Sequence, residues 1–210
     1  MKRLGILLSG RGSNFEAIAD NIERARLNAE IAVVISNRAE ARGIQMARDR
    51  GLPSVVLLPE GLPREEYDRR VVAELQNCGV DLVCLAGFMR VLTPEFCRAF
   101  PLRALNIHPS LLPAFPGVDA QKQALEHGVK ISGCTVHFVD EHLDGGPIIL
   151  QAAVPVLDDD TEDMLSARIL QEEHRIYSEA IGMVLSGHWR VIGRRVLGTA
   201  RDGGRHMMAE

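Results

Sequence analysis

Leu4-Gly5-Ile6-Leu7-Leu8-Ser9-Gly10-Arg11-Gly12-Ser13-Asn14 opens the chain with a short apolar run, a polar turn holding two glycines, and the start of a helical pattern. A run with no polar alternation suits a strand covered on both faces, and such strands belong to parallel sheets wound with helices. The unit recurs. Ile31–Ser36, Ser54–Leu58 and Asp81–Ala86 read as further strands, while Asn14–Leu27, Glu40–Arg50 and Arg64–Asn77 between them carry helix-compatible spacing. Alternation of this kind predicts an α/β protein with right-handed crossovers: a Rossmann-like, mostly parallel twisted sheet with helices on both faces. Ala104–His108 continues the sheet. A Pro-rich loop to Gly117 and a helix near Asp119–His127 follow, then two longer strands, Ile131–Val139 and Ile148–Val156. Joined through Asp144-Gly145-Gly146-Pro147, these are expected to add antiparallel strands to one side of the sheet. A long helix over Thr161–Ser186 and a hairpin-like Trp189–Leu197 complete the pattern. Residues 1–198 read as one domain and 199–210, with Asp202-Gly203-Gly204 and no apolar period, as a flexible tail.

The chain has 210 residues, with 24 Lys and Arg against 28 Asp and Glu, a formal net charge of −4. No basic block is long enough for a nucleic-acid track. Met1-Lys2-Arg3 precedes an apolar run too short for a signal peptide, and no stretch reaches membrane-spanning length, so no membrane partner and a cytoplasmic location are expected. Cys78, Cys84, Cys97 and Cys134 form no C-x-x-C and sit among apolar residues. They are expected to be free thiols, and no metal is expected.

In an extended strand, residues two apart share a face, so Asn106 and His108 address one volume while Leu105 and Ile107 address the other. A neutral donor beside a group that can hold a proton near pH 7 suits an oxygen that turns negative during a reaction. The alternative for a lone histidine is a core residue bonded to a backbone carbonyl. Around the first turn, Gly10 and Gly12 permit close backbone approach, and Ser13, Asn14 and the free amides of a helix start can hold a phosphate. The third glycine of a dinucleotide fingerprint is Phe15, and no Gly-Lys-Ser/Thr ending makes a Walker loop. A capped turn that binds nothing remains the other reading of this loop.

Leu85-Ala86-Gly87-Phe88-Met89-Arg90-Val91-Leu92-Thr93-Pro94 leaves the fourth strand at the edge where open α/β sheets bind ligands, and offers a flat ring apolar walls and backbone donors. Packing against a helix is the alternative. Asp144, just before Gly145-Gly146, sits where a left-handed turn can direct its carboxylate inward to stabilise an imidazolium at His108. Asp140 and Glu141 read as solvated loop residues. In the long helix, Leu165, Ile169, Ile176, Ala180 and Val184 form an apolar stripe with one place taken by Glu173. A carboxylate there either accepts from a sugar diol or pairs with an internal arginine. Asp158-Asp159-Asp160 reads as helix-cap and dipole chemistry.

With these motifs, the chain from Leu4 to Trp189 resembles the phosphoribosylglycinamide formyltransferase family, folate-dependent enzymes of purine synthesis. The resemblance rests on Ser9–Asn14, Leu85–Arg90, Asn106–Pro113, Leu143–Pro147 and Glu172-Glu173-His174. It implies that Gly12, Ser13, Asn14 and Glu173 bind glycinamide ribonucleotide. It implies too that Arg64, Met89, Arg90, Val91, Leu92 and Asn106 line the site of the cosubstrate 10-formyltetrahydrofolate, and that His108 is the catalytic acid, helped by Asn106 and Asp144. Two departures touch substrate contacts: Val118-Asp119-Ala120-Gln121 lacks histidines that some members carry, and Leu170 is apolar where some present a polar side chain.

Three other kinds of protein share parts of this pattern. A formyltetrahydrofolate hydrolase would use the same Asn, His and Asp with an added N-terminal domain, and a methionyl-tRNA formyltransferase would need an RNA-binding domain and a basic face. A non-catalytic phosphosugar-binding module would have no use for His108 and Asp144. Oligomeric state is not legible in the sequence.

Overall fold

The computed structural model describes residues 1–199. The expected tail, beyond Thr199, lies outside the described residues. One sheet runs through nine strands in the order β3-β2-β1-β4-β5-β6-β7-β9-β8. Its parallel half comprises β1 (Lys2–Leu8), β2 (Ala29–Ser36), β3 (Ser54–Val56), β4 (Leu82–Leu85) and β5 (Ala104–His108). Strand β6 (Ile131–Phe138) pairs antiparallel with β5, and β7 (Ile148–Pro155) antiparallel with β6. A terminal hairpin, β8 (Trp189–Ile192) and β9 (Arg195–Gly198), joins β7 through the parallel pairing of Ile148 with Arg195.

The absence of polar alternation in the early strands is explained by helices on both faces. Leu4, Ile6 and Leu8 of β1, with Leu82 and Cys84 of β4, pack on α1 (Ser13–Glu23), α2 (Arg42–Asp49) and α6 (Glu162–Ser186). Leu7, Val83 and Leu85 face α3 (Arg64–Asn77) and α4 (Pro94–Ala99) on the other side. Alternate residues of each strand thus serve two separate apolar clusters, so neither face tolerates a polar residue. The remaining helix, α5 (Ala120–Glu126), contributes Ala124 to the first cluster. The stripe of α6 is buried as expected, and Tyr177 hydroxyl contacts Leu85 O at 2.9 Å and Leu105 O at 3.1 Å, fixing that helix over β4 and β5.

Several boundaries differ from the sequence reading for local reasons. Helix α1 stops at Glu23 rather than Leu27, because Ala25 takes a left-handed φ of 55° and the amides of Arg26 and Leu27 turn back to Asn21 O. Strand β3, paired on one side only, ends at Val56 rather than Leu58. Helix α4 is an addition in residues left unassigned after the Leu85–Pro94 stretch, with Thr93 Oγ1 accepting from Phe96 N–H at 3.4 Å and Pro94 in its first turn. The acidic run before α6 does not cap it. Thr161 does, while Asp160 pairs with Arg168 at 2.7 Å and Asp158 with Lys130 at 2.6 Å.

The strand order sets the site. The connection leaving β1 runs outward to β2, whereas that leaving β4 runs the other way to β5, so a crevice opens between them at the C-terminal edge of the parallel half. Such reversals are where open α/β sheets bind ligands.

Candidate active site

The loops after β1 and β4 are joined across that crevice. Ser9, fully buried, donates its backbone N–H to Gly87 O at 3.0 Å and accepts from Met89 N–H through Oγ at 2.8 Å. Gly12 sits at φ 80°, and a Cβ there would lie 2.7 Å from Gly43 Cα, so the turn needs glycine both for its backbone and for the close approach of α2. Helix α1 then begins with no side-chain cap, leaving amides of its first turn open to an anion. Asn14 points inward and donates from Nδ2 to Glu173 Oε2 at 2.8 Å, both side chains being buried. The structure thus brings together Asn14 and Glu173 from opposite ends of the chain. Among the described residues, no arginine partners Glu173. Burial pushes its carboxyl above the usual range, and the Asn14 hydrogen bond opposes that shift. Asn14 Oδ1 is buried without a protein partner.

Asn106 and His108 are separated by one residue on β5 and lead into a linked polar cluster. His108 Nε2 lies 2.8 Å from Phe115 O. A carbonyl only accepts, so Nε2 carries the proton. Nδ1 faces Asp144 Oδ2 at 3.4 Å, with both side chains almost fully buried. Oxygen acceptors therefore flank both ring nitrogens. Asp144 takes a left-handed φ of 49° and accepts from Gly117 N–H at 2.8 Å, which holds its carboxylate under the Pro-rich loop.

His137 completes the cluster and is absent from the sequence reading. It lies opposite Asn106 in the β5–β6 register. Its Nδ1 contacts Phe138 O at 2.8 Å, and burial lowers its pKa from the ordinary histidine value. The ring is thus neutral with its proton on Nδ1, and Nε2 accepts from Asn106 Nδ2 at 3.2 Å. This fixes the amide's orientation and leaves its second N–H for a ligand. Thr135, two residues earlier, anchors the Pro-rich loop by donating to Ser110 O at 2.7 Å and accepting from Leu112 N–H at 3.0 Å. The alternation Thr135, His137 on a long strand was the available signal, but only the register identifies the partner.

The loop after β4 is held from α3. Asp68, buried, accepts from Thr93 N–H at 2.6 Å, and Arg64 donates to Val91 O at 2.8 Å. The Arg90 guanidinium lies 4.3 Å from the centre of the Tyr67 ring, with Nε buried and unpartnered. The Tyr67 hydroxyl, also buried without a partner, is pushed up to about 12 by burial. Met89 and Val91 expose their side chains, while Leu92 is buried. Outside this region, all four cysteines are free thiols. No helix among the described residues is long and apolar enough to cross a membrane.

A buried imidazole between two oxygen acceptors, a hydrogen-bonded amide on the same strand and the uncapped start of α1 across the crevice are groups that a transfer reaction can use. The chain belongs to the formyl transferase family, whose model matches residues 2–181 and leaves the β8–β9 hairpin outside the match. It is similar to phosphoribosylglycinamide formyltransferase of Escherichia coli, at 43% identity over 187 residues that cover 89% of this chain and 88% of that protein. Its fold matches glycinamide ribonucleotide transformylase 1 of Symbiobacterium toebii with a TM-score of 0.93 and 54% identity, over 95% of each chain. The trifunctional purine biosynthetic protein adenosine-3 of Drosophila melanogaster is 49% identical over 89% of this chain, which spans 14% of that longer protein.

Proposed function

We propose that this chain transfers the formyl group of 10-formyltetrahydrofolate to the amine of glycinamide ribonucleotide, a step of purine biosynthesis. The observation that carries the reading is the buried Asp144 carboxylate 3.4 Å behind His108 Nδ1, with Asn106 on the same strand, a pairing that a core histidine bonded only to a backbone carbonyl would not have. The chemistry required is attack of an amine on a formyl carbon, which places negative charge on the formyl oxygen. It also calls for a proton to leave the attacking nitrogen and another to reach the departing folate nitrogen. His108 Nε2–H, exchanged from Phe115 O, and the free N–H of Asn106 hold the oxyanion. Asp144 balances the imidazolium and, through a water, organises the proton transfer. No covalent bond to the enzyme is needed.

The loop after β4 fits the folate. Exposed Met89 and Val91 offer apolar walls, backbone groups of residues 89–92 offer donors and acceptors, and the unpartnered Nε of Arg90 offers a buried donor. Arg64 lies at its rim. Gly12, Ser13 and Asn14 take the phosphate of glycinamide ribonucleotide at the start of α1, and Glu173 accepts from the same substrate. That role accounts for a carboxylate held in an apolar stripe.

Gly12→Val is expected to raise KM for glycinamide ribonucleotide by about tenfold or more while leaving KM for formyl-folate within about twofold. The side chain strains a left-handed position and presses on Gly43, displacing the cradle. Equal ribonucleotide affinity in a folded Gly12→Val protein would remove the phosphate from this loop.

Glu173→Gln keeps an oxygen for Asn14 but removes a buried charge. It is expected to stabilise the protein at pH 7 by about 1 kcal/mol while raising KM for the ribonucleotide several-fold. The folded carboxyl titrates above its unfolded value, so ionisation weakens the fold. The variant's advantage should therefore shrink as the pH is lowered through the raised folded value toward the ordinary glutamate range. Urea unfolding at several pH values checks this, and an advantage that grows on acidification would refute it.

Turnover of formyl-folate with and without glycinamide ribonucleotide tests the function itself. Transfer requires the ribonucleotide and yields its formylated product, whereas a hydrolase releases formate without it. A binding module turns over neither.

A further inference from the structure

The β8–β9 hairpin ends the sheet beside the loop that carries Asp144. It is fastened at one end to α6, where Trp189 Nε1 donates to Val184 O at 2.9 Å, and the Trp189 ring stacks 5.0 Å from that of Phe138. At the other end, Arg195 pairs with Ile148, directly after the loop, and Arg194 Nη2 donates to Gly145 O.

The loop needs such a tether. Asp144 holds a left-handed φ, a conformation that costs a non-glycine residue free energy, and it is followed by two glycines with the greatest backbone freedom of any residue. The base of the loop is closed by Phe138 N–H donating to Pro147 O at 2.9 Å, and Gly145 N–H donates to His142 O at 3.2 Å. The carbonyl between the two glycines faces neither, and the guanidinium of Arg194 takes it. A charged donor with a planar fork restrains a carbonyl more firmly than a neutral one.

We infer that Arg194 is a positioning residue, clamping Gly145 O and so holding the Asp144 carboxylate against His108. This rests on the reading of Asp144 as a participant in formyl transfer. Arg194 is exposed, so its replacement should leave the fold intact.

Two measurements on the full chain decide the matter. In hydrogen exchange, Arg194→Ala should speed the amides of residues 140–146 by about tenfold while β1–β5 exchange as before. In steady-state assays it should lower kcat by about three- to tenfold with both KM values within about twofold, and Arg194→Lys, which keeps a charged donor, should recover most of the loss. Unchanged loop exchange in Arg194→Ala overturns the inference whatever the activity does. Faster exchange with unchanged kcat overturns the positioning role, as does a kcat loss that comes with a lowered Tm and is not recovered by lysine. A wild-type protein that transfers no formyl group would sink the functional reading instead, and the exchange experiment would still decide whether Arg194 holds the loop.

Discussion

His108→Ala is expected to lower kcat for formyl transfer by about 10³–10⁴-fold, and Asn106→Ala by about 10²–10³-fold, with KM for either substrate changed far less. The larger figure belongs to His108 because, in the proposed mechanism, its ring both donates to the formyl oxygen and supplies a proton. Asn106 supplies one neutral donor, the usual scale for a single oxyanion contact. Truncating Asn106 also leaves His137 Nε2 without the donor now 3.2 Å away, and a buried unpaired acceptor costs about 1–3 kcal/mol. Asn106→Ala should therefore lose measurable stability in urea. His108→Ala instead frees Phe115 O and the Asp144 carboxylate, leaving a buried charge that has lost its imidazole. Because the two residues serve one oxyanion, the double variant should lose less than the product of the single effects. Near-wild-type turnover in both single variants would displace the reaction from this end of β5.

The sequence carries the site unevenly, and the difference is one of range. Strand and helix periodicity is local, so β1, β5 and α3 are legible almost to the residue, and Glu173 shows as a charge in an otherwise apolar stripe. The Thr93-Pro94-Glu95 start of α4 is also a local signal, but six residues are too few for an apolar period to support it. His137 could not be found that way. Its partner Asn106 lies 31 residues earlier, and only the antiparallel register of β5 on β6 places them together. The same holds for Asn14 on Glu173, 159 residues apart, where the sequence left a sugar diol and an arginine as alternatives and the structure supplies an amide. Asp144 falls between these cases. Its two following glycines announce a special turn, while its approach to His108 depends on the fold. The run Asp158-Asp159-Asp160 misleads because acidic residues before a helix also serve as ion-pair partners, here for Lys130 and Arg168.

Asp144→Asn is expected to lower kcat by about 10²–10³-fold with little change in fold or in substrate affinity. The wild-type Oδ2 accepts from Gly117 N–H at 2.8 Å and faces His108 Nδ1 at 3.4 Å. An asparagine must keep its oxygen on that side, because an amide NH₂ there would confront the Gly117 donor. Its NH₂ then takes the Oδ1 position, which lies 3.7 Å from His137 Nε2. That separation is beyond hydrogen-bond reach and the Nε2 lone pair already accepts from Asn106, so the turn keeps its Gly117 contact and gains none to the ring, and urea stability should fall by no more than about 1 kcal/mol. The catalytic consequences run the other way. The imidazole loses the anion that balances its charged form, and no carboxylate remains to accept a proton through water. One substitution thus removes charge while leaving shape, which is why the loss should fall on kcat. The His108 ring itself remains, so the effect should stay below that of His108→Ala. The decisive comparison is kcat and both KM values for the variant at pH 7, set beside its unfolding midpoint. A kcat within about threefold of wild type in a stably folded protein would reduce Asp144 to a turn residue.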